Sequence, residues 1–244
     1  MQPPKLRDNK NRKNNEPYQI GDIPNEVICN IGKWLIYNLA VGKSDIDGED
    51  WGDIFAKAID GEHLYSPVGL ADVVLDGMAW SVKSLKNTKP HTCKSVRVIS
   101  GRNSPVYSHN ISDPHADIAR TGQAVLSVWN ERISVAADNY QPLRSSILIR
   151  NPDLLQYSLF EQAIERFPTN AYKWIVNKNG NFEGFDINTE KHKFTWQPHG
   201  AQFTIFYDVP RQAKKFTLKR PKILDFEQAM AQIGFEDSWV SIHE

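Results

Sequence analysis

Residues 70–86, Leu70-Ala-Asp-Val-Val-Leu-Asp-Gly-Met-Ala-Trp-Ser-Val-Lys-Ser-Leu-Lys86, read as a β-hairpin with one carboxylate, one small hydroxyl and one lysine on a shared face. Asp76-Gly77 lies between two apolar runs, and Asp-Gly suits the positive φ angles of a two-residue turn. With those residues as the turn, Leu75 faces Met78 and Asp72 faces Ser81. Directly opposed residues on one face have Cβ atoms about 4.5–5.5 Å apart and diagonal neighbours about 7–8 Å, so a long side chain at Lys83 also reaches Asp72. Alternation along the strands puts Val73, Leu75, Trp80 and Val82 on the opposite, core-forming face.

An acid and an ammonium held this close suit phosphodiester hydrolysis. That reaction needs a hard cation to offset charge at phosphorus and to lower the pKa of an attacking water, with carboxylate and carbonyl oxygens as ligands. Asp72 is the central candidate ligand. Lys83 is the candidate for orienting the water and stabilising developing negative charge.

The spacing of an aspartate, a hairpin turn and an x-Lys ending resembles the PD-(D/E)XK nuclease superfamily, most familiar from type II restriction endonucleases. The resemblance is close over the hairpin. It makes Asp72 the first acid and Lys83 the lysine, and it places Ser81 where a second, Mg²⁺-binding Glu or Asp usually stands. Members without that acid recruit a carboxylate from a preceding helix. Gly48-Glu-Asp-Trp-Gly-Asp-Ile-Phe-Ala-Lys-Ala-Ile59 is similar to the superfamily's helical Gly-Glu-x-aromatic segment, which makes Glu49 the preferred recruit and Asp53 the second choice. The backbone carbonyl of Val82 is implied as a further metal ligand. The implied fold is α/β with a restriction-endonuclease-like core, a mixed central β-sheet flanked by helices, with Asp72 and Lys83 on adjacent strands.

At 244 residues the chain is long enough for one well-buried core, and no internal linker argues for two. The expectation is a mobile basic arm over residues 1–18 and a single nuclease domain over 19–244, with its catalytic core at about 45–150. Lys plus Arg and Asp plus Glu are both 29, so distribution rather than net charge bears on nucleic acid. Cys29 and Cys93 are too few for a disulfide scaffold and fit a reducing cytoplasm. The basic N-terminus has no apolar stretch of a secretory signal, and no run of about 18 apolar residues argues for a membrane span.

Outward from the hairpin, the pattern predicts a helix over 23–39 with Asp22 as N-cap and Ile23, Val27, Ile31, Leu35 and Leu39 as its core stripe. A second helix over 49–60 buries Trp51, Phe55 and Ala58 and ends at Gly61. Residues 86–105 carry Lys86, Lys89, Lys94, Arg97 and Arg102 with no acid, and read as a basic loop placed to hold phosphates or reach base edges. Lys86, Lys94, Arg97, Arg102 and Asn103 are its candidate DNA contacts. A helix follows over 113–138, where Gln123 resembles a polar residue that several nucleases place beside the active site. Then come a buried strand over 145–150, a helix over 153–167 opened by Pro152, and strands over 173–176, 182–186, 193–196 and 202–207. A second candidate recognition region spans about 190–222, with His199, Gln202, Lys214 and Lys215 as its contacts.

Other chemistries lack their signatures. The chain has no His-Glu-x-x-His, no Gly-x-Ser-x-Gly, no phosphate loop and no dinucleotide-binding glycine motif. His109-Asn110 lacks the surroundings of an HNH nuclease. The resemblance to the PD-(D/E)XK superfamily implies Mg²⁺-dependent, sequence-specific cleavage of double-stranded DNA, and cutting both strands with one site per chain favours a homodimer, whose symmetry would match a palindromic site. The rivals are a repair or nicking endonuclease of the same superfamily and a non-catalytic DNA-binding protein on the same fold, the latter favoured by Ser81.

Overall fold

The computed structural model describes residues 16–65 and 69–243. Helices α1 (Asn25–Ala40) and α2 (Gly48–Ala58) lead through a short strand β1 (Glu62–His63) into the hairpin of β2 (Val73–Leu75) and β3 (Met78–Lys86). Then follow β4 (Ser95–Arg102), α3 (Pro105–His109), α4 (Ile118–Ala137), β5 (Leu143–Arg150) and β6 (Gln156–Ala163). Strands β7 (Tyr172–Val176), β8 (Phe182–Asp186), β9 (His192–Gln197), β10 (Gln202–Asp208) and β11 (Lys214–Thr217) precede α5 (Phe226–Gln232).

The hairpin has the register its turn dictates. Leu75 pairs with Met78, and both turn residues take positive φ, 46° at Asp76 and 83° at Gly77, which closes the turn without splaying the strands. β3 then pairs in parallel with β5, and a parallel partner demands a long crossover, here residues 87–142. The result is a mixed sheet in the order β1-β2-β3-β5-β6-β11. A second, antiparallel sheet runs β4-β10-β9-β8-β7.

Two apolar clusters hold these layers. On one side of the mixed sheet, Ile31, Leu35, Trp51 and Phe55 of α1 and α2 pack against Val73, Met78, Trp80 and Val82. On the other, Ala79, Ile147 and Ile149 join Val125, Leu126 and Trp129 of α4 and Val98, Phe194, Trp196 and Phe203 of the second sheet. The architecture is mixed α/β, as expected, but the flanking differs: α1 and α2 cover one face, while the second sheet and α4 share the cluster on the other. The hairpin face that carries Ser81 is therefore polar only at its open end, because Val74 and Ala79 near the turn pack into the second cluster. No described helix is long and apolar enough to cross a membrane.

Three predicted elements are corrected. Residues 153–167 do not form a helix: β6 is a strand paired to β5 on one side and β11 on the other. The Asn151 side chain accepts from the backbone N–H groups of Leu155 and Gln156, both at 2.9 Å, and closes a tight turn that returns the chain as a strand. Tyr157 through Glu161 are all buried, and a short run buried on both faces has no strand period to read. The basic stretch 86–105 is only partly a loop, since β3 runs through Lys86 and β4 begins at Ser95. Helix α1 begins at Asn25 with Pro24 in the N-cap position, so Asp22 is not the cap.

Of the expected N-terminal arm, residues 1–15 lie outside the described residues. Its end is anchored: Glu16 pairs with Arg144 at 2.8 Å, and the Tyr18 hydroxyl donates to Glu161 at 2.8 Å.

Candidate active site

The open end of the hairpin gathers the acid and the lysine. Asp72 Oδ2 accepts three hydrogen bonds, from the Val82 backbone N–H at 2.8 Å, from Ser81 Oγ at 3.1 Å and from Lys83 Nζ at 3.2 Å. Lys83 Nζ also donates to the Val82 carbonyl at 2.9 Å, so one ammonium spans a carboxylate oxygen and a main-chain oxygen. The Asp72 and Lys83 side chains are 19% and 26% exposed, enough to meet a ligand without being loose in solvent.

These groups line a cleft of about 930 Å³. Glu49, at the start of α2, also lines the cleft, beside His63 at 3.7 Å. Arg97 and Arg102 of β4, with His199 and Gln202 at the turn into β10, add lining from the second sheet. The cleft thus joins a carboxylate–ammonium group from the mixed sheet to a largely basic and amide surface from the antiparallel one.

Local structure explains the placement of Glu49. Asp47 caps α2 by accepting from Asp50 N at 2.9 Å, and the Asp50 carboxylate accepts from Asp47 N at 3.1 Å, a reciprocal capping box. The preceding turn is strapped to β3 and β5. Asp45 pairs with Lys86 at 2.8 Å and with Arg150 at 2.7 Å, Arg150 Nε donates to Ser84 Oγ at 2.9 Å, and Ser84 Oγ donates to the Ile46 carbonyl at 2.8 Å. The hydrogen bond from Lys86 holds the Asp45 carboxyl below the usual aspartate range.

The other expected DNA contacts are dispersed. Asn103 is corrected outright: it is fully buried, its amide donates to the Val125 carbonyl at 3.0 Å, and its Oδ1 accepts from Arg132 at 3.3 Å. Its backbone carbonyl also accepts from Trp196 Nε1 at 2.7 Å, so Asn103 braces the wall that carries His199 and Gln202. Lys86 is engaged by Asp45, and Lys94 lies exposed at the foot of β4; neither lines the cleft. Lys214 and Lys215 sit on β11, separated from β3 by β5 and β6. Gln123 is exposed on α4 and does not line the cleft.

Asp53 is also committed elsewhere, accepting from Tyr65 OH at 2.7 Å and lying 2.8 Å from His63 Nδ1. Its burial raises the carboxyl pKa, but the hydrogen bonds from Tyr65 and His63 outweigh that and hold it low.

Two cleft residues had no sequence signal. Arg132 of α4 lines the cleft and donates to the Ser100 carbonyl at 2.6 Å; burial lowers its pKa while the charge of Asp72 acts in the opposite direction. His63 stands on β1, beside the strand that follows Asp72, and its pairing depends on the fold rather than on spacing.

The donor set suits a hard cation in part. Asp72 and the Val82 carbonyl are adjacent, and Mg²⁺ is commonly bound by one or two carboxylates plus waters and phosphate oxygens. Among the described residues no three His, Cys, Asp or Glu side chains converge as a metal cluster, in keeping with Ser81 standing opposite Asp72. Comparison with protein-family models, with curated proteins and with solved structures finds no match.

Proposed function

We propose that this protein is a Mg²⁺-dependent, sequence-specific endonuclease acting on double-stranded DNA, built on a restriction-endonuclease-like core. The observation that carries the reading is the Asp72–Val82–Lys83 group facing a cleft whose other side presents Arg97, Arg102, His199 and Gln202. Asp72 and the Val82 carbonyl would hold the ion, with Glu49 as the additional acid. Bound there, the ion supplies neutralisation of phosphate charge and an acidified water.

The chain's own groups do the remainder. Lys83 presents an ammonium beside Asp72, placed to donate to a phosphate oxygen or to hold a water in line with it. Ser81 and the Val82 N–H fix the Asp72 carboxylate so that it needs no reorganisation when substrate arrives. Arg97 and Arg102 can neutralise phosphates or make bidentate contacts to guanine, and Gln202 can read adenine. A homodimer would cut both strands. Support for it comes from the C-terminal segment, where Phe226, Trp239 and Ile242 are largely exposed and offer apolar surface to a second copy.

The test is incubation with mixed phage DNA in Mg²⁺ and in EDTA. Discrete fragments are expected only with Mg²⁺, and Asp72→Ala and Lys83→Ala are expected to abolish cutting while retaining most DNA affinity. Full cleavage by either variant refutes the assignment. Unpaired nicks would favour a repair or nicking enzyme of the same superfamily. The second reading, a DNA-binding protein without catalysis, is favoured by Ser81 in place of an acid, and binding without any Mg²⁺-dependent product would select it.

A further inference from the structure

The acid–lysine group is not the only chemistry in the cleft. The His63 side chain is only 7% exposed, yet it lines the cleft, and its two ring nitrogens lie near two different carboxylates. Nδ1 lies 2.8 Å from Asp53 Oδ1, and Nε2 lies 3.7 Å from Glu49 Oε2, too far for a hydrogen bond. In the tautomer that donates Nδ1–H to Asp53, Nε2 is the ring nitrogen left to accept or ligate, and it lies on the Glu49 side. Tyr65 OH donates to the same oxygen, Asp53 Oδ1, at 2.7 Å, and its ring packs on His63 with centroids 4.3 Å apart. The imidazole also lies flush against the backbone of α2 at Gly52, where a Cβ would overlap the ring. An orienting carboxylate, a glycine cradle and an aromatic lid fix a ring whose free nitrogen meets no hydrogen-bond partner among the described residues.

We propose that His63 Nε2 and the Glu49 carboxylate form a binding site for a borderline divalent cation of the Mn²⁺, Co²⁺ or Zn²⁺ kind, distinct from the oxygen-only position at Asp72 although both draw on Glu49. Imidazole is a ligand for such ions and not for Mg²⁺, and a ligating histidine almost always donates its other ring N–H to a carboxylate or carbonyl, as His63 does to Asp53. Two donors each about 2.1 Å from one ion, at angles between octahedral and tetrahedral, lie about 3.0–3.5 Å apart, so the observed pair closes on an ion with a shift of a few tenths of an ångström. Water or a phosphate oxygen from the cleft completes the shell. The site goes beyond the nuclease reading, because it needs neither Asp72 nor DNA.

The probe is Mn²⁺ added to the full chain without DNA, followed by pulsed electron paramagnetic resonance and by titration. Wild type is expected to show ¹⁴N coupling to bound Mn²⁺. His63→Ala should remove that coupling, Asp53→Asn should weaken binding about tenfold through the lost orientation, and Glu49→Gln should weaken it by a similar factor. Asp72→Asn should leave the nitrogen coupling in place, which separates this site from the cleavage reading. Glu49 is 73% exposed, so its variant reports on the ion even if His63→Ala does not fold. Absence of nitrogen coupling in saturated wild type, its persistence in His63→Ala, or unchanged affinity in Glu49→Gln overturns the proposal.

Discussion

A single oxygen, Asp72 Oδ2, takes three donors, and they are not equivalent. The Val82 N–H is fixed by the strand and Lys83 carries charge, whereas Ser81 contributes one neutral hydrogen bond. Removing a neutral bond costs about 0.5–1.5 kcal/mol when the remaining donors persist. Ser81→Ala is therefore expected to lower cleavage by no more than about tenfold, measured as initial rate on plasmid DNA, while Asp72→Ala eliminates it. The acid–lysine pair was legible because a two-residue turn fixes the register by counting. His63 and Arg132 were not, since one reaches the cleft by strand pairing and the other from the far side of a long crossover.

At the scale of elements, the strap from Asp45 to Lys86 and Arg150 ties the start of α2 to β3 and β5. Because Lys86 holds Asp45 below its ordinary value of 3.8, the strap adds stability above that value and loses it as pH falls through the lowered one. Asp45→Asn is thus expected to unfold at a lower temperature than wild type at neutral pH, with the gap narrowing below about pH 4, as followed by circular dichroism. Legibility varied with burial. β4 did carry a strand signal, Val96 and Val98 alternating with Ser95, Arg97 and Ile99, but its positive charges read more loudly as a loop. β6 carried none, because cover on both faces removed the alternation that marks a half-buried strand.

Across the whole molecule, one buried ion pair joins distant parts. Arg144 of β5 bonds Glu161 of β6 at 3.0 Å, Glu161 also accepts from Trp80 Nε1 and Tyr18 OH at 2.8 Å, and Arg144 reaches Glu16. Burial raises the Glu161 pKa, opposed by the Arg144 charge. Arg144→Met leaves that carboxylate uncompensated and is expected to destabilise the fold by about 3–5 kcal/mol, read from the denaturant midpoint. Glu161→Gln together with Arg144→Met should recover part of the loss, since the fully buried carboxylate is then neutral and only the more exposed Glu16 is left unpaired. The mixed α/β class was legible from alternating helix and strand patterns; the second sheet was not, because nothing in a run of antiparallel strands says whether it extends an existing sheet or builds its own.

Parallel pairing of β3 with β5 across a long crossover makes the order of synthesis matter. The hairpin that bears Asp72 and Lys83 leaves the ribosome well before β5, and the turn carrying His199 and Gln202 emerges later still. Contacts between such remote segments must await the closure of long loops. A nascent or truncated chain ending before β9 would own Asp72 and Lys83 yet lack His199 and Gln202 on the facing side of the cleft, so the cleft itself is complete only late in synthesis.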